Sequence, residues 1–140
     1  MAVDCAALTA LLQAEPDVEA AWLVGSQARG EARPDSDVDV AVLFAEEPAG
    51  ADPLDIAIRR GRLMDDLAAA LKVHVDVLDV ERISPVAFGI AMKYRVPLLD
   101  RNHARMVEVL SDQYARWHDM QPHYELQRQA VRDSFARAKG

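Results

Sequence analysis

The chain has 140 residues, a formal net charge of -7 and a hydrophobic content of 51%. This length suits one domain with a single buried core, and the composition is that of a globular protein rather than a disordered one. An acidic surface argues against direct nucleic-acid binding, because sequence-independent binding depends on Lys and Arg that neutralise phosphates. No apolar run approaches the ~20 residues that span a bilayer, and Asp4 stands where a secretory leader would carry basic residues. We therefore expect a soluble, cytoplasmic protein with no membrane partner.

The acidic excess is confined to residues 1–113, whereas residues 114–140 carry a small basic excess. A small anion held by metal ions, or a basic protein partner, is compatible with this distribution. The single cysteine, Cys5, excludes an internal disulfide and a cysteine-based metal site.

The first half of the chain alternates between helical and strand patterns. Strands are predicted over residues 20–24, 37–44 and 73–80, with a turn or short helix at 26–30 and a tight turn at Pro34-Asp35-Ser36. A short helix is predicted over 4–14, and Asp52-Pro53 is typical of a helix start. The helix after Asp52 has an apolar stripe of Ile56, Leu63, Leu67 and Leu71.

The second half is mainly helical, with a brief edge strand at 96–99. Ser84-Pro85 predicts a further helix start. A long helix is predicted from 101 to about 118, an interruption at Pro122, and a final helix over 123–138 that either closes the core or docks a partner. The predicted buried faces comprise Ile83, Val86, Ala87, Ile90 and Tyr94 in the first of these helices, and Val107, Leu110, Tyr114 and Trp117 in the long one.

Two aspartates interrupt an otherwise apolar strand in the segment GSQARGEARPDSDVDVAVLF, residues 25–44. Asp37 and Asp39 are two residues apart, so their side chains share one face of the strand at a separation of roughly 6.5 to 7 Å. Two carboxylates on one face repel each other, and a divalent cation is the obvious compensating partner. The alternative is a pair of solvent-facing strand residues.

The third predicted strand, VHVDVLDV, repeats this feature with Asp76 between two apolar valines. If the second and third strands are neighbours, Asp76 joins Asp37 and Asp39, and three carboxylates suit two Mg²⁺ ions that take further ligands from phosphate. Asp79 has the opposite parity and is interpreted as a strand-end residue. His74 shares the face of Asp76 but is interpreted as an exposed or hydrogen-bonded residue, since Mg²⁺ prefers oxygen.

Gly25-Ser26 lies at the point where the first strand turns towards a helix start. Such a turn offers free backbone N–H groups and a hydroxyl to a phosphate, and glycine lets the backbone approach the ligand closely. Gly-Ser followed by ten residues and Asp-x-Asp resembles the signature of the polymerase-beta-like nucleotidyltransferases, and Asp76 resembles their third carboxylate. The short chain is similar to the minimal nucleotidyltransferases, in particular to the MntA-type antitoxins that act beside HEPN-domain toxins.

The resemblance covers about residues 18–100. It implies an α+β nucleotidyltransferase fold with a small mixed β-sheet flanked by helices and extra C-terminal helices, with residues 1–100 as the core and 101–140 completing it or docking a partner. It also implies transfer of AMP from ATP to a tyrosine of a HEPN toxin within a hetero-oligomer. Asp37 and Asp39 would hold two Mg²⁺ ions, Asp76 would complete the catalytic one, and Gly25, Ser26 and Arg29 would bind the nucleotide.

Two other functions remain open at this point. One is nucleotidyl transfer to a small-molecule hydroxyl such as that of an aminoglycoside, which usually requires a second domain or a dimer to hold the acceptor. The other is a non-catalytic antitoxin that acts by binding alone, although three clustered acids without metal would destabilise a fold.

Overall fold

A computed structural model of the chain describes residues 3–33 and 36–139. The predicted turn at Pro34-Asp35 therefore lies outside the described residues. Five α-helices, four strands and one 3-10 turn follow each other along the described chain. They are α1 (Cys5–Gln13), β1 (Val18–Val24), α2 (Gly25–Arg29), β2 (Val38–Phe44), α3 (Pro53–Leu71), β3 (Val75–Asp79), α4 (Pro85–Ala91), the 3-10 turn Met92–Tyr94, β4 (Val96–Asp100) and α5 (His103–Lys139).

The four strands form one mixed sheet in the order β3-β2-β1-β4. β1 is antiparallel to β2 and to β4, whereas β2 and β3 are parallel and are joined through α3. The predicted α+β class and the edge strand near 96–99 are thereby confirmed. Asp52 caps the start of α3 by accepting a hydrogen bond from Leu54 N, as the Asp-Pro pair predicts.

Two apolar clusters cover the two faces of the sheet. On one face, Leu8 and Leu12 of α1 and Leu63 and Leu67 of α3 pack against the strand valines. On the other face, Phe88 and Met92 pack with Trp22 and Leu43, and Leu110 of α5 closes that cluster. Because side chains alternate along β2, Asp39 shares the second face with Ala41 and Leu43, at the end of the sheet beyond the apolar cluster.

The buried face of α4 differs from the predicted one. Phe88, Gly89 and Met92 are buried, whereas Ile90 and Tyr94 are 53% and 55% exposed. The reason is the close approach of α5, since a Cβ on Gly89 would overlap the ring of Trp117. The predicted stripe of α5 is also partly wrong, because Val107 is exposed while the polar Gln113 is buried and donates to the carbonyls of Val80 and Ile83.

The predicted break at Pro122 is wrong, because α5 continues through this residue to Lys139. Pro122 removes one backbone donor but does not end the helix here. From His118 to Ala138 every side chain except that of Tyr124 is exposed, so this half of α5 does not close the core. None of the described helices is both long enough and apolar enough to cross a membrane.

Candidate active site

The parallel pairing of β2 and β3 brings two of the predicted aspartates side by side. Asp39 is the register partner of Asp76, so their side chains leave the sheet on the same face. Asp37 precedes the first residue of β2, two positions before Asp39. Asp79 pairs with Val42, points to the opposite face and accepts a hydrogen bond from Arg82 at 2.9 Å. Its interpretation as a strand-end residue is confirmed.

Gly25 lies directly against the carboxylate of Asp39. It is the residue after β1, its φ is +72°, and a Cβ placed on it would lie 3.1 Å from the carboxyl carbon of Asp39 and closer still to one oxygen. Glycine is therefore required here for two reasons, a left-handed backbone and the lack of space for a methyl group. The turn from β1 into α2 is held next to the acidic side chains as a result.

Burial and neighbouring like charges both disfavour the ionised form of Asp39. Partial burial and then repulsion from Asp76 and Asp37 raise the pKa of Asp39 above its ordinary value of 3.8, although His74 and Arg29 act in the opposite direction. A carboxylate whose ionised form is penalised in this way gains most from a bound cation.

His74 is closer to the acidic side chains than the sequence indicates. Its Nδ1 lies 3.3 Å from a carboxylate oxygen of Asp37, and both side chains are more than half exposed. The backbone carbonyl of His74 also accepts a hydrogen bond from Val38 N, which fixes the two strand starts together. The ring is therefore an exposed neighbour of Asp37, and its exposure agrees with the sequence interpretation.

Arg60 of α3 is a neighbour of the site that the sequence analysis missed. Its guanidinium donates to the carbonyl of Val77 at 2.8 Å and lies 3.9 Å from a carboxylate oxygen of Asp76. The signal that could have indicated it is weak, because Arg60 is one of three arginines within four residues of α3.

The start of α2 presents the backbone groups that the Gly25-Ser26 pair predicts. Its N-cap is Val24, which has no side chain able to accept a hydrogen bond from the first-turn N–H groups. Ser26 is half-buried in this first turn. Arg29 is paired with Glu31 at 3.1 Å on the surface, so its charge is partly neutralised by a neighbour in the chain.

The donor chemistry of the three aspartates fits Mg²⁺, which prefers carboxylate oxygens and retains open positions for phosphate. Among residues 3–33 and 36–139, no three acidic, His or Cys side chains enclose a metal site by themselves. Oxygens from a nucleotide or from water would therefore be needed to complete the coordination of an ion held here.

Carboxylates at the starts of two parallel strands, beside a strand–Gly–Ser–helix turn, are the features of a nucleotidyltransferase. Residues 7–104 match the family model described as polymerase beta nucleotidyltransferase, and the chain belongs to this family. No curated protein sequence shows a significant match to the chain.

Solved structures with the same fold include complexes of toxins with antitoxins. One is a toxin–antitoxin crystal structure with AMP-PNP, 24% identical over 96% of this chain and 99% of that chain, with a TM-score of 0.66. Another is a tri-AMPylated Shewanella oneidensis HEPN toxin in complex with an MNT antitoxin, where the identity is 24% over 94% of this chain and 95% of that chain and the TM-score is 0.56. A minimal nucleotidyltransferase is 32% identical over 69% of this chain and 97% of that chain, with a TM-score of 0.50.

Proposed function

We propose that this chain is the antitoxin of a HEPN toxin–antitoxin pair and that it transfers AMP from ATP to a tyrosine hydroxyl of the toxin. The observation that carries the proposal is the register of Asp39 with Asp76, beside the turn at Gly25. Similar solved structures support the partner and the nucleotide, since one contains AMP-PNP and another an AMPylated HEPN toxin. The exposed second half of α5 also agrees with a protein that works in a complex.

Each part of the site has a distinct role in this reaction. The first turn of α2, with the hydroxyl of Ser26, binds the outer phosphates of ATP through its free N–H groups. Asp37 and Asp39 would hold two Mg²⁺ ions, with Asp76 as a further ligand of one of them. When bound, such ions would neutralise charge on the phosphates and lower the pKa of the attacking hydroxyl. Arg29 is assigned a minor role, because its guanidinium is already paired with Glu31.

The transfer step is a displacement at the α-phosphorus of ATP. The tyrosine oxygen forms a bond to this phosphorus while the bond to the bridging oxygen breaks, and the bond electrons leave with pyrophosphate. The hydroxyl proton passes to solvent. The residues of this chain therefore bind and align the reactants, and no side chain forms a covalent intermediate.

The experiment compares the wild type with Asp76→Asn on a HEPN toxin, in the presence and absence of ATP and Mg²⁺. Intact-mass spectrometry should show the toxin gaining one or more AMP groups only with the wild type and both reactants. The toxin should stay inactive after the antitoxin is removed, because a phosphodiester is covalent whereas an occluding complex dissociates on dilution. Asp76→Asn should still bind the toxin in a pull-down but leave its mass unchanged. Suppression of the toxin without any change of mass would replace the enzymatic proposal by inhibition through binding alone.

A further inference from the structure

A groove of about 530 Å³ begins at Asp76 and follows β3 towards Asp79. β3 is an edge strand of the sheet, so one side of the groove is open to an incoming molecule. Its apolar walls are Ile56 and Ala57 of α3 on one side and the partly exposed Leu78 and Ile83 on the other. This volume is in the range of sites that hold a small ligand or a few side chains.

The order of the strands fixes the side from which an acceptor can arrive. The phosphate-binding turn follows β1, Asp39 lies on β2 and Asp76 lies on β3, so these groups form a row across the end of the sheet. In phosphoryl transfer the attacking and leaving oxygens are roughly in line, on opposite sides of the phosphorus. If pyrophosphate leaves on the β1 side, the acceptor must enter on the β3 side, which is where the groove opens.

The chemistry of the groove favours an apolar acceptor over a cationic one. Two arginines border it, Arg60 near Asp76 and Arg82 paired with the buried Asp79 at 2.9 Å. Because each arginine lies beside an aspartate that also lines the groove, the lining has no net charge to attract a polycationic sugar, and its apolar walls offer such a sugar no hydrogen bonds. An aromatic side chain with apolar neighbours would bury area against the walls while its hydroxyl reached Asp76.

The backbone of the edge strand is already partly occupied. Val38 N donates to the carbonyl of His74 and Val80 N to that of Val42, so the even-numbered residues of β3 pair with β2. Odd-numbered residues direct their backbone groups outward, and Arg60 occupies the outward carbonyl of Val77. A segment in the groove is therefore held through its side chains rather than as an added strand.

We infer that the groove along β3 is the acceptor subsite and that it receives an apolar protein segment carrying the tyrosine to be modified. The inference rests on the proposed AMP transfer and adds the location and the chemical class of the acceptor to it.

Ala57 is the position that tests this subsite. It is exposed on α3 and lines the groove, so Ala57→Glu adds a charge and Ala57→Trp adds bulk without disturbing the core. The matched controls are Ala70→Glu and Ala70→Trp, since Ala70 is exposed on the same helix but does not line the groove. The four variants and the wild type are compared on a HEPN toxin with ATP and Mg²⁺, by intact mass for the rate and by calorimetry for ATP binding.

Both Ala57 variants should lower kcat/KM for the toxin about tenfold or more, because a misplaced acceptor loses its alignment. Their Kd for ATP should stay within about twofold of the wild-type value. For the Ala70 variants, both kcat/KM for the toxin and Kd for ATP should stay within about twofold of the wild type. Two results would overturn the inference and leave the proposed function standing. One is a wild-type rate of toxin modification in the Ala57 variants, and the other is a loss of ATP binding in these variants as large as their loss of toxin modification. A wild type that adds no AMP would overturn the proposed function, and the acceptor subsite with it.

Discussion

Gly25 and Asp39 are in contact across two antiparallel strands, and no side chain fits between them. Val24 is the register partner of Asp39, so the chain leaves β1 and turns into α2 beside this carboxylate. The turn that is assigned to the phosphates and the carboxylate that is assigned to the metal ions are thereby held at a fixed separation. A change at Gly25 must alter both groups together.

Gly25→Ala should impair nucleotide binding more than it impairs folding. The positive φ makes alanine cost about 1–2 kcal/mol, and the added methyl group must displace Asp39 as well. Gly30→Ala is the matched control, because Gly30 has the same φ of +72° but open space around its Cβ position. Both variants should be destabilised in urea titrations, and only Gly25→Ala should lose ATP binding in the presence of Mg²⁺. Comparable loss of binding in the two variants would separate Gly25 from the site.

Asp39→Asn should increase stability in the absence of divalent cations, in a pH-dependent manner. Because the pKa of Asp39 is raised in the folded protein, protonation of this carboxyl favours the folded state. This contribution to the free energy of unfolding is fully present below about pH 3.8 and is lost as the pH rises through the folded-state pKa. The variant should therefore unfold at a higher temperature than the wild type at pH 7, and the difference should shrink towards pH 3.8. Excess Mg²⁺ should stabilise the wild type more than the variant.

The control for this pH series is Asp65→Asn. Asp65 is exposed on α3 and does not belong to the group formed by Asp37, Asp39 and Asp76. Its unfolding temperature should follow that of the wild type throughout the series. A wild type that is more stable than Asp39→Asn at pH 7 without metal would contradict the predicted repulsion.

Ser26→Ala should weaken ATP binding while leaving the fold intact. The hydroxyl lies in the first turn of α2, and a hydrogen bond to a charged group contributes about 1.5–3 kcal/mol. Ser84→Ala provides the opposite pattern, because Ser84 caps α4 through Ala87 N and its loss should cost about 1 kcal/mol of stability. Calorimetry should thus show the larger loss of ATP affinity in Ser26→Ala, and thermal unfolding the larger loss of stability in Ser84→Ala. A Ser26→Ala protein that unfolds instead would assign the hydroxyl a structural role.

The sequence predicted the strands and the face of the sheet that carries the acidic side chains, because both depend on local alternation. Asp39 and Asp76 each stand between apolar residues that must be buried, so their common orientation follows once β2 and β3 are neighbours. Asp79 was separated from them by the same parity argument. The orientations of these aspartates can be predicted from the two-residue period of a strand and the single assumption that β2 and β3 are neighbours.

Other features depended on contacts between elements that are distant in sequence. The buried face of α4 differs from the apolar stripe because Gly89, which has no side chain of its own, packs against Trp117 of α5. Arg60 gained its position beside Asp76 only through the packing of α3 against β3. Pro122 does not break α5, because one missing hydrogen bond is tolerated in an exposed helix that has long helical segments on both sides.

The backbone amides of α5 should exchange with solvent at different rates before and after Pro122, although the helix is continuous. The first half is anchored by Arg105, which binds Glu19 and Glu81, and by Gln113, which donates to two carbonyls. Pro122 cannot donate to the carbonyl of His118, and beyond it the exposed residues have few tertiary contacts to oppose opening. In the isolated chain, amides before His118 should exchange with the opening of the whole domain, and those after Pro122 should exchange by local fraying. If the proposed toxin partner binds this half, adding the toxin should slow exchange after Pro122 and leave exchange before His118 unchanged.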